Sequence, residues 1–193
     1  MKPVTEQKQI AREALRVADR RHGALERLEA SHALCERILR SGIWSSARVI
    51  LAFSPLPREP DIRPLLAAAL REGKTLGLPR LASDAEVYAP ARVRSLEGDL
   101  APGAHGILEP RPECEPMPTN PLDLVLVPGV GFDLGLGRLG RGLGHYDRML
   151  AGATGIRCGV AFDWQVAASV PLEPHDVRMH CLATPSQWLG PFA

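Results

Sequence analysis

The junction at residues 122–144 restricts the fold most: six almost wholly apolar residues, Leu122 to Val127, run into glycines at 129, 131, 135, 137, 140, 142 and 144. A short run that is apolar at nearly every position hides both faces of a strand, as central strands of parallel sheets do. Glycine at such density belongs neither to a helix interior nor to a strand interior, so residues 129–144 are expected to form a long loop leaving that strand's C-terminal end.

The remaining elements follow the same logic. Ile10, Ala14, Leu15 and Ala18 recur at helical spacing over residues 5–21, and Leu25, Leu28, Ala33 and Leu34 repeat the pattern over 24–39, with Gly42 as a stop. Residues 48–53 read as a buried strand that ends in Ser54-Pro55. Asp61 is placed to cap a helix through Leu65, Leu66, Ala69 and Leu70 to Gly73, and 75–78 form the next strand. Residues 145–150 start a helix, 156–162 are another apolar strand, and 181–183 a last short one. Prolines at 110, 112, 116, 118 and 121 forbid a helix and predict an extended strap that serves only as a connection. Alternating strands and helices predict a single α/β domain over residues 1–193: a doubly wound, mostly parallel, Rossmann-like sheet with helices on both faces. Its ligand crevice would lie outside the carboxyl ends of the strands.

Charge and cysteine usage narrow the function classes. With 23 Lys plus Arg against 22 Asp plus Glu, the net charge of +1 offers no field for nucleic acid or an anionic membrane, so any anion site is local. Cys35, Cys114, Cys158 and Cys181 lie far apart without a Cys-x-x-Cys pair, which fits reduced thiols in the cytoplasm. Lys2, Glu6, Lys8 and Arg12 interrupt the place where a signal peptide needs an apolar stretch, and no run approaches the ~18 apolar residues of a membrane span.

Chemistry concentrates in Gly135-Leu-Gly-Arg-Leu-Gly-Arg-Gly-Leu-Gly-His-Tyr-Asp147, with five glycines and two arginines in thirteen positions. Backbone amides of such a loop can converge on phosphate oxygens, while Arg138 and Arg141 carry planar charged forks suited to phosphate. A flexible surface loop is the plainer reading. Gly135-x-Gly137-x-x-Gly140 also satisfies the dinucleotide fingerprint, with Asp163 as its acidic residue, but some seven residues separate it from the strand; a Walker-type motif is absent. Lys8, Arg12 and Arg16 share one helix face, either as a phosphate site or as a solvated surface. Asp147 and Asp176 are candidate magnesium ligands or simple turn residues, because Mg²⁺ needs only one or two carboxylates beside substrate phosphates. Glu59 can accept from an amino-substituted ring, or serve a proline-rich turn.

Val127-Pro-Gly-Val-Gly-Phe-Asp133 followed by Arg138-Leu-Gly-Arg-Gly-Leu-Gly-His-Tyr-Asp147-Arg closely resembles the signature of 5-formyltetrahydrofolate cyclo-ligases. Shorter similarities run the length of the chain: Lys8-x-x-x-Arg12, the stretch from Phe53 to Asp61, Gly73-Lys74, Leu78-Pro-Arg80, Gly106-Ile-Leu-Glu-Pro110 and Pro174-His-Asp176. The resemblance implies an ATP- and Mg²⁺-dependent conversion of 5-formyltetrahydrofolate to 5,10-methenyltetrahydrofolate, through an iminium phosphate, by a monomer acting on small molecules. Lys8, Arg12, Arg138, Leu139, Gly140, Arg141, Gly142, Leu143, Gly144, His145 and Tyr146 match the ATP site, with Arg141, Lys8 and Arg138 as the catalytic cations. Phe53, Glu59 and the Arg141 to His145 stretch match the folate side, and Asp147 and Asp176 the metal side.

Two-substrate phosphoryl transfer of this kind needs positioning and positive charge rather than a protein nucleophile, and the chain offers no Ser-His-Asp or Cys-His arrangement. It departs from the family pattern at His145, where many members carry tyrosine, at Gly135-Leu-Gly137, and at His180, where an aspartate is common. Rival readings are a same-fold enzyme activating another amide or carboxylate, and a non-catalytic sensor of a phosphorylated metabolite.

Overall fold

The computed structural model describes residues 2–81, 88–103 and 106–191. Seven strands form the main sheet in the order β12-β11-β9-β6-β1-β2-β3. Its five central members are β1 (Val49–Leu51), β2 (Thr75–Leu81), β6 (Leu124–Val127), β9 (Ile156–Val160) and β11 (Cys181–Ala183), all mutually parallel. These are the five strands expected from the apolar runs. The edges, β3 (Tyr88–Val93) and β12 (Trp188–Leu189), pair antiparallel and were not anticipated.

The doubly wound reading holds in the packing. Along β6, Leu124 and Leu126 face one apolar cluster while Val125 and Val127 face the other, as the two-residue period of a strand requires. Helices α2 (Ala24–Leu39), α3 (Gly42–Ser46) and α4 (Arg63–Arg71) cover the first face through Leu34, Ile38, Trp44, Leu65 and Ala69. Helix α5 (His145–Ala151) covers the second through Met149 and Leu150. Gly42 does not stop α2; it opens α3, whose N-cap Ser41 accepts the Trp44 backbone N–H through Oγ. Asp61 sits two residues before α4, where its Oδ1 accepts the Arg63 backbone N–H at 3.1 Å.

Two expectations need correction. Residues 129–144 are not one loop: β7 (Gly131–Asp133) and β8 (Arg138–Leu139) pair antiparallel, and β7 pairs parallel with β10 (Val166–Ala167). Buried Asp133 closes that ribbon by accepting from Gly137 N and Val170 N, both at 2.8 Å, with Leu136 at φ 64°. The proline-rich segment is likewise more than a connection, since β5 (Leu108–Pro110) pairs with β4 (Leu100–Pro102) and carries Glu109 into the wall of the cavity described next.

Helix α1 (Val4–Asp19) lies outside the sheet layers, and among its residues only Lys8 is buried. At its end, Asp19 accepts from Arg27, from Arg58 Nε at 2.7 Å and from Trp164 Nε1 at 3.1 Å. These donors outweigh burial and hold its carboxyl below the usual aspartate range. The helix is therefore fastened mainly by polar contacts, with Leu15 packed against Gly131 beside them.

Candidate active site

A cavity of about 850 Å³ opens beyond the carboxyl ends of β1, β2 and β6, walled by Ser54, Leu56, Pro79, Leu81, Pro128 and Gly129. That is where an open parallel sheet offers its crevice, and the volume lies in the upper part of the roughly 300–1,000 Å³ range of small-molecule sites.

Helix α1 brings Lys8 and Arg12 to this cavity from the start of the chain. Lys8, 8 % exposed, donates to Glu173 Oε2 at 2.7 Å and pairs with Asp176 Oδ2 at 2.6 Å. Burial works against its charge, but the Asp176 and Glu173 carboxylates prevail and raise it above the ordinary lysine value. Asp176 moves the opposite way: burial disfavours its charge, yet Lys8 and the Glu173 backbone N–H hold it below the usual range. Arg12 Nε donates to the Gly140 carbonyl at 2.8 Å, and its guanidinium underlies Gly142, whose φ of 106° suits glycine. On the shared face of α1, Lys8 and Arg12 are thus engaged at the cavity, while Arg16 is solvated, half exposed beside Glu13.

The two arginines of the glycine-rich segment differ sharply. Arg138 lies on β8 with its side chain 3 % exposed, donates Nη2 to Asp147 Oδ2 at 2.9 Å and directs Nη1 to the Pro128 carbonyl at 3.3 Å. Arg141 lies beyond the strand with its side chain 54 % exposed and donates Nη2 to Glu59 Oε1 at 2.9 Å. Glu59 Oε2 accepts the Leu56 backbone N–H, which fixes the turn carrying it. Leu139, Gly140, Leu143 and Gly144 line the cavity between these arginines and α5. His145 and Tyr146 follow on the first turn of α5, where His145 meets Tyr88 edge to face at 5.3 Å and Tyr146 underlies the Arg138 guanidinium at 5.6 Å. Burial first, then the Glu59 charge, raises the Tyr146 hydroxyl far above its ordinary value, so it remains a neutral donor.

Fourteen positions singled out in the sequence therefore meet in one cavity, while Phe53 does not. The chain leaves β1 after Leu51, and the Phe53 ring, 1 % exposed, packs in the core with Ile50; its neighbour Ser54 takes the wall position. Asp163 and His180 are also absent from the lining: Asp163 accepts from Thr184 and Ser186 hydroxyls, and His180 Nδ1 accepts the Arg157 backbone N–H. With Gly135, Gly137 and Gly140 distributed along a β-ribbon, the dinucleotide fingerprint is coincidental.

Sequence reasoning missed Glu109, Tyr88, Glu173 and His175 in this wall. Glu109 lay in view within the short Gly106–Pro110 similarity, and Glu173 and His175 adjoin Asp176. One ligand atom each from Glu173, His175 and Asp176 falls within 4.8 Å of the others. With Asp147, whose Oδ1 is 3.5 Å from the Val177 N, this carboxylate-rich side suits a hard cation held chiefly through a substrate's phosphates.

The comparisons with known proteins agree with this geometry. The sequence model of the 5-formyltetrahydrofolate cyclo-ligase family matches residues 4–185. A 5-formyltetrahydrofolate cyclo-ligase of Mycolicibacterium smegmatis is 36 % identical over 152 residues, covering 76 % of this chain and 78 % of the relative. The mouse enzyme of that name is 26 % identical over 178 residues, covering 81 % and 82 %. The NMR structure of Aquifex aeolicus 5,10-methenyltetrahydrofolate synthetase superposes with a TM-score of 0.85 at 30 % identity, covering 95 % of this chain and 92 % of that one. A Mycoplasma pneumoniae 5,10-methenyltetrahydrofolate synthetase shares the fold at a TM-score of 0.73 and 19 % identity, over 92 % and 98 %. With its glycine-rich ribbon, its α1 cations and its late acidic loop gathered on one cavity, the chain belongs to the 5-formyltetrahydrofolate cyclo-ligase family.

Proposed function

We propose that this chain cyclises 5-formyltetrahydrofolate to 5,10-methenyltetrahydrofolate at the expense of ATP, with Mg²⁺ as the metal. The observation that carries the reading is the convergence of Lys8, Arg12, Arg138 and Arg141 with Glu59 on one cavity at the strand ends. Positive charge from two distant chain segments meets a carboxylate wall there, as a nucleotide phosphate beside an N–H-bearing heterocycle requires.

The reaction follows from these groups. A formamide oxygen is a weak nucleophile, so its attack on the γ-phosphorus depends on in-line placement and on cations over the equatorial oxygens. Arg141, exposed and tethered to Glu59, swings a fork to the transferring phosphoryl group. Lys8 and Arg12 hold the polyphosphate from the α1 side. Arg138 acts through its neighbours, keeping Asp147 and the ribbon in place. Transfer breaks the β–γ bridge, releases ADP and leaves the formyl oxygen as a phosphate ester on an iminium carbon. N10 attacks that carbon and loses its proton, and inorganic phosphate departs as the ring closes. Asp147 and Asp176 would hold Mg²⁺, which, when bound, neutralises phosphate charge.

The test mixes the protein with Mg²⁺, ATP and 5-formyltetrahydrofolate and follows the absorbance of the conjugated methenyl product, with ATP-free and chelator-treated controls. Product that needs both ATP and metal supports the reading. ATP binding without product would redirect the search to another amide substrate or to a sensing role.

A further inference from the structure

Three buried side-chain atoms lack a hydrogen-bond partner among the described residues, Ser54 Oγ, Glu109 Oε1 and Arg138 Nε, and all three residues line the same cavity. An unpartnered buried polar atom is costly, and with all three on residues of one cavity wall a ligand bound there is the nearest source of partners. Glu109 is the most informative of them. It is 7 % exposed, its Oε2 accepts the Leu81 backbone N–H at 3.0 Å, and no cation among the described residues pairs with it. Gly103, on the other arm of the β4–β5 hairpin, makes room for the carboxyl: a Cβ there would stand 2.6 Å from Glu109 Cδ. Tyr88 adjoins it on the wall, its hydroxyl raised by burial and then by the Glu109 charge. Glu59, by contrast, has both oxygens engaged, by Leu56 and Arg141.

A carboxylate oxygen with no partner among the described residues suits a ligand that brings N–H donors. Adenine presents one amino group flanked by ring nitrogens that are themselves acceptors. The pyrimidine half of a reduced pteridine presents its ring N3–H and 2-amino group side by side, so that one donor can meet Glu109 Oε1 while the other shares Oε2 with the Leu81 N–H. We propose that Glu109 holds this amino-pyrimidine edge and thereby sets the orientation of the pteridine in the cavity, an inference that rests on the cyclo-ligase reading above.

The test compares 5-formyltetrahydrofolate with its 2-desamino-2-methyl analogue in the wild type, Glu109→Met and Glu109→Gln, measuring KM for both folates and for ATP together with Tm. In the wild type the analogue should bind about 100-fold more weakly, since it leaves a buried carboxylate oxygen unpaired. Glu109→Met should raise the KM for the natural folate at least about tenfold, shrink the preference to under about threefold and leave the ATP KM within about twofold. Glu109→Gln, which keeps one acceptor but no charge, should fall between. A folded Glu109→Met protein with undiminished preference, or with a defect confined to ATP, overturns the proposal. Should Glu109→Met fail to fold, Glu109→Gln decides on the same ratio: a decrease of about threefold or more supports the assignment and an unchanged ratio overturns it. A wild type that neither binds nor cyclises 5-formyltetrahydrofolate would instead overturn the activity, so the two failures are distinct.

Discussion

Arg141 and Glu59, 82 residues apart, meet at 2.9 Å across the mouth of the cavity, joining the glycine-rich ribbon to the turn that follows β1. Water reaches the pair from the Arg141 side, 54 % exposed against 9 % for Glu59, and screens it, so it adds little to stability, near the ~0–1 kcal/mol of solvent-screened ion pairs. Its value lies in where it leaves the guanidinium. Arg141→Ala should lower kcat by more than about tenfold while Tm moves by less than about 3 °C, because a charged contact to a transferring phosphoryl group is worth more than ~1.4 kcal/mol. Steady-state kinetics beside a thermal melt check this, and unchanged turnover in the folded variant would remove Arg141 from the mechanism.

Arg138 and Asp147 make the opposite case. Their contact is shielded, and removing one partner strands a buried guanidinium. Asp147→Ala should therefore destabilise by about 3 kcal/mol, lowering Tm by roughly 6–12 °C for a chain of this size. Differential scanning calorimetry reads this directly. A melt within a degree or two of the wild type would show that the pair does not hold the ribbon.

Lys8 gives the fold a pH dependence with a defined sign. Asp176 titrates below its ordinary 3.8, so its share of stability is present above that value and is lost as pH falls through the lower folded pKa. Lys8 titrates above its ordinary 10.5, so its share is complete below that value and is lost as pH rises through the higher folded pKa. The Tm advantage of the wild type over Lys8→Met should stay level between about pH 5 and 9 and shrink on both sides. A difference that instead changes near neutral pH would point to another group.

Thiol reactivity separates the four cysteines. Burial pushes Cys35 up to about 12, and Cys158 is raised by its contact with Cys181 and by burial, while Cys114 is partly exposed. Ellman's reagent at neutral pH should titrate one thiol per native chain quickly and four after denaturation, and Cys114→Ser should abolish the fast phase. Two fast thiols in the native wild type would contradict the buried placement of the others.

The five parallel strands and helices α2 and α4 are legible in the sequence because burial on a sheet or helix face is a local demand, written at a spacing of one, two or three to four residues, whereas α1 shows the same spacing although Lys8 is its only buried residue. The composition of residues 135–147 and the short similarities along the chain likewise place the ribbon, Lys8, Glu59 and Asp176 within a family before any contact is known. Other features depended on the three-dimensional arrangement. Lys8 finds Glu173 and Asp176 across 165 and more residues, Arg138 and Arg141 part into a buried strut and an exposed arm three positions apart, and Phe53 turns inward while Ser54 faces the cavity. The Glu109 oxygen left without a partner among the described residues is visible only when the β4–β5 hairpin is set against β2. Local pattern records which side of an element is dry. Which polar groups meet, and which are left waiting for a ligand, depends on partners that only the closed fold brings within hydrogen-bond distance.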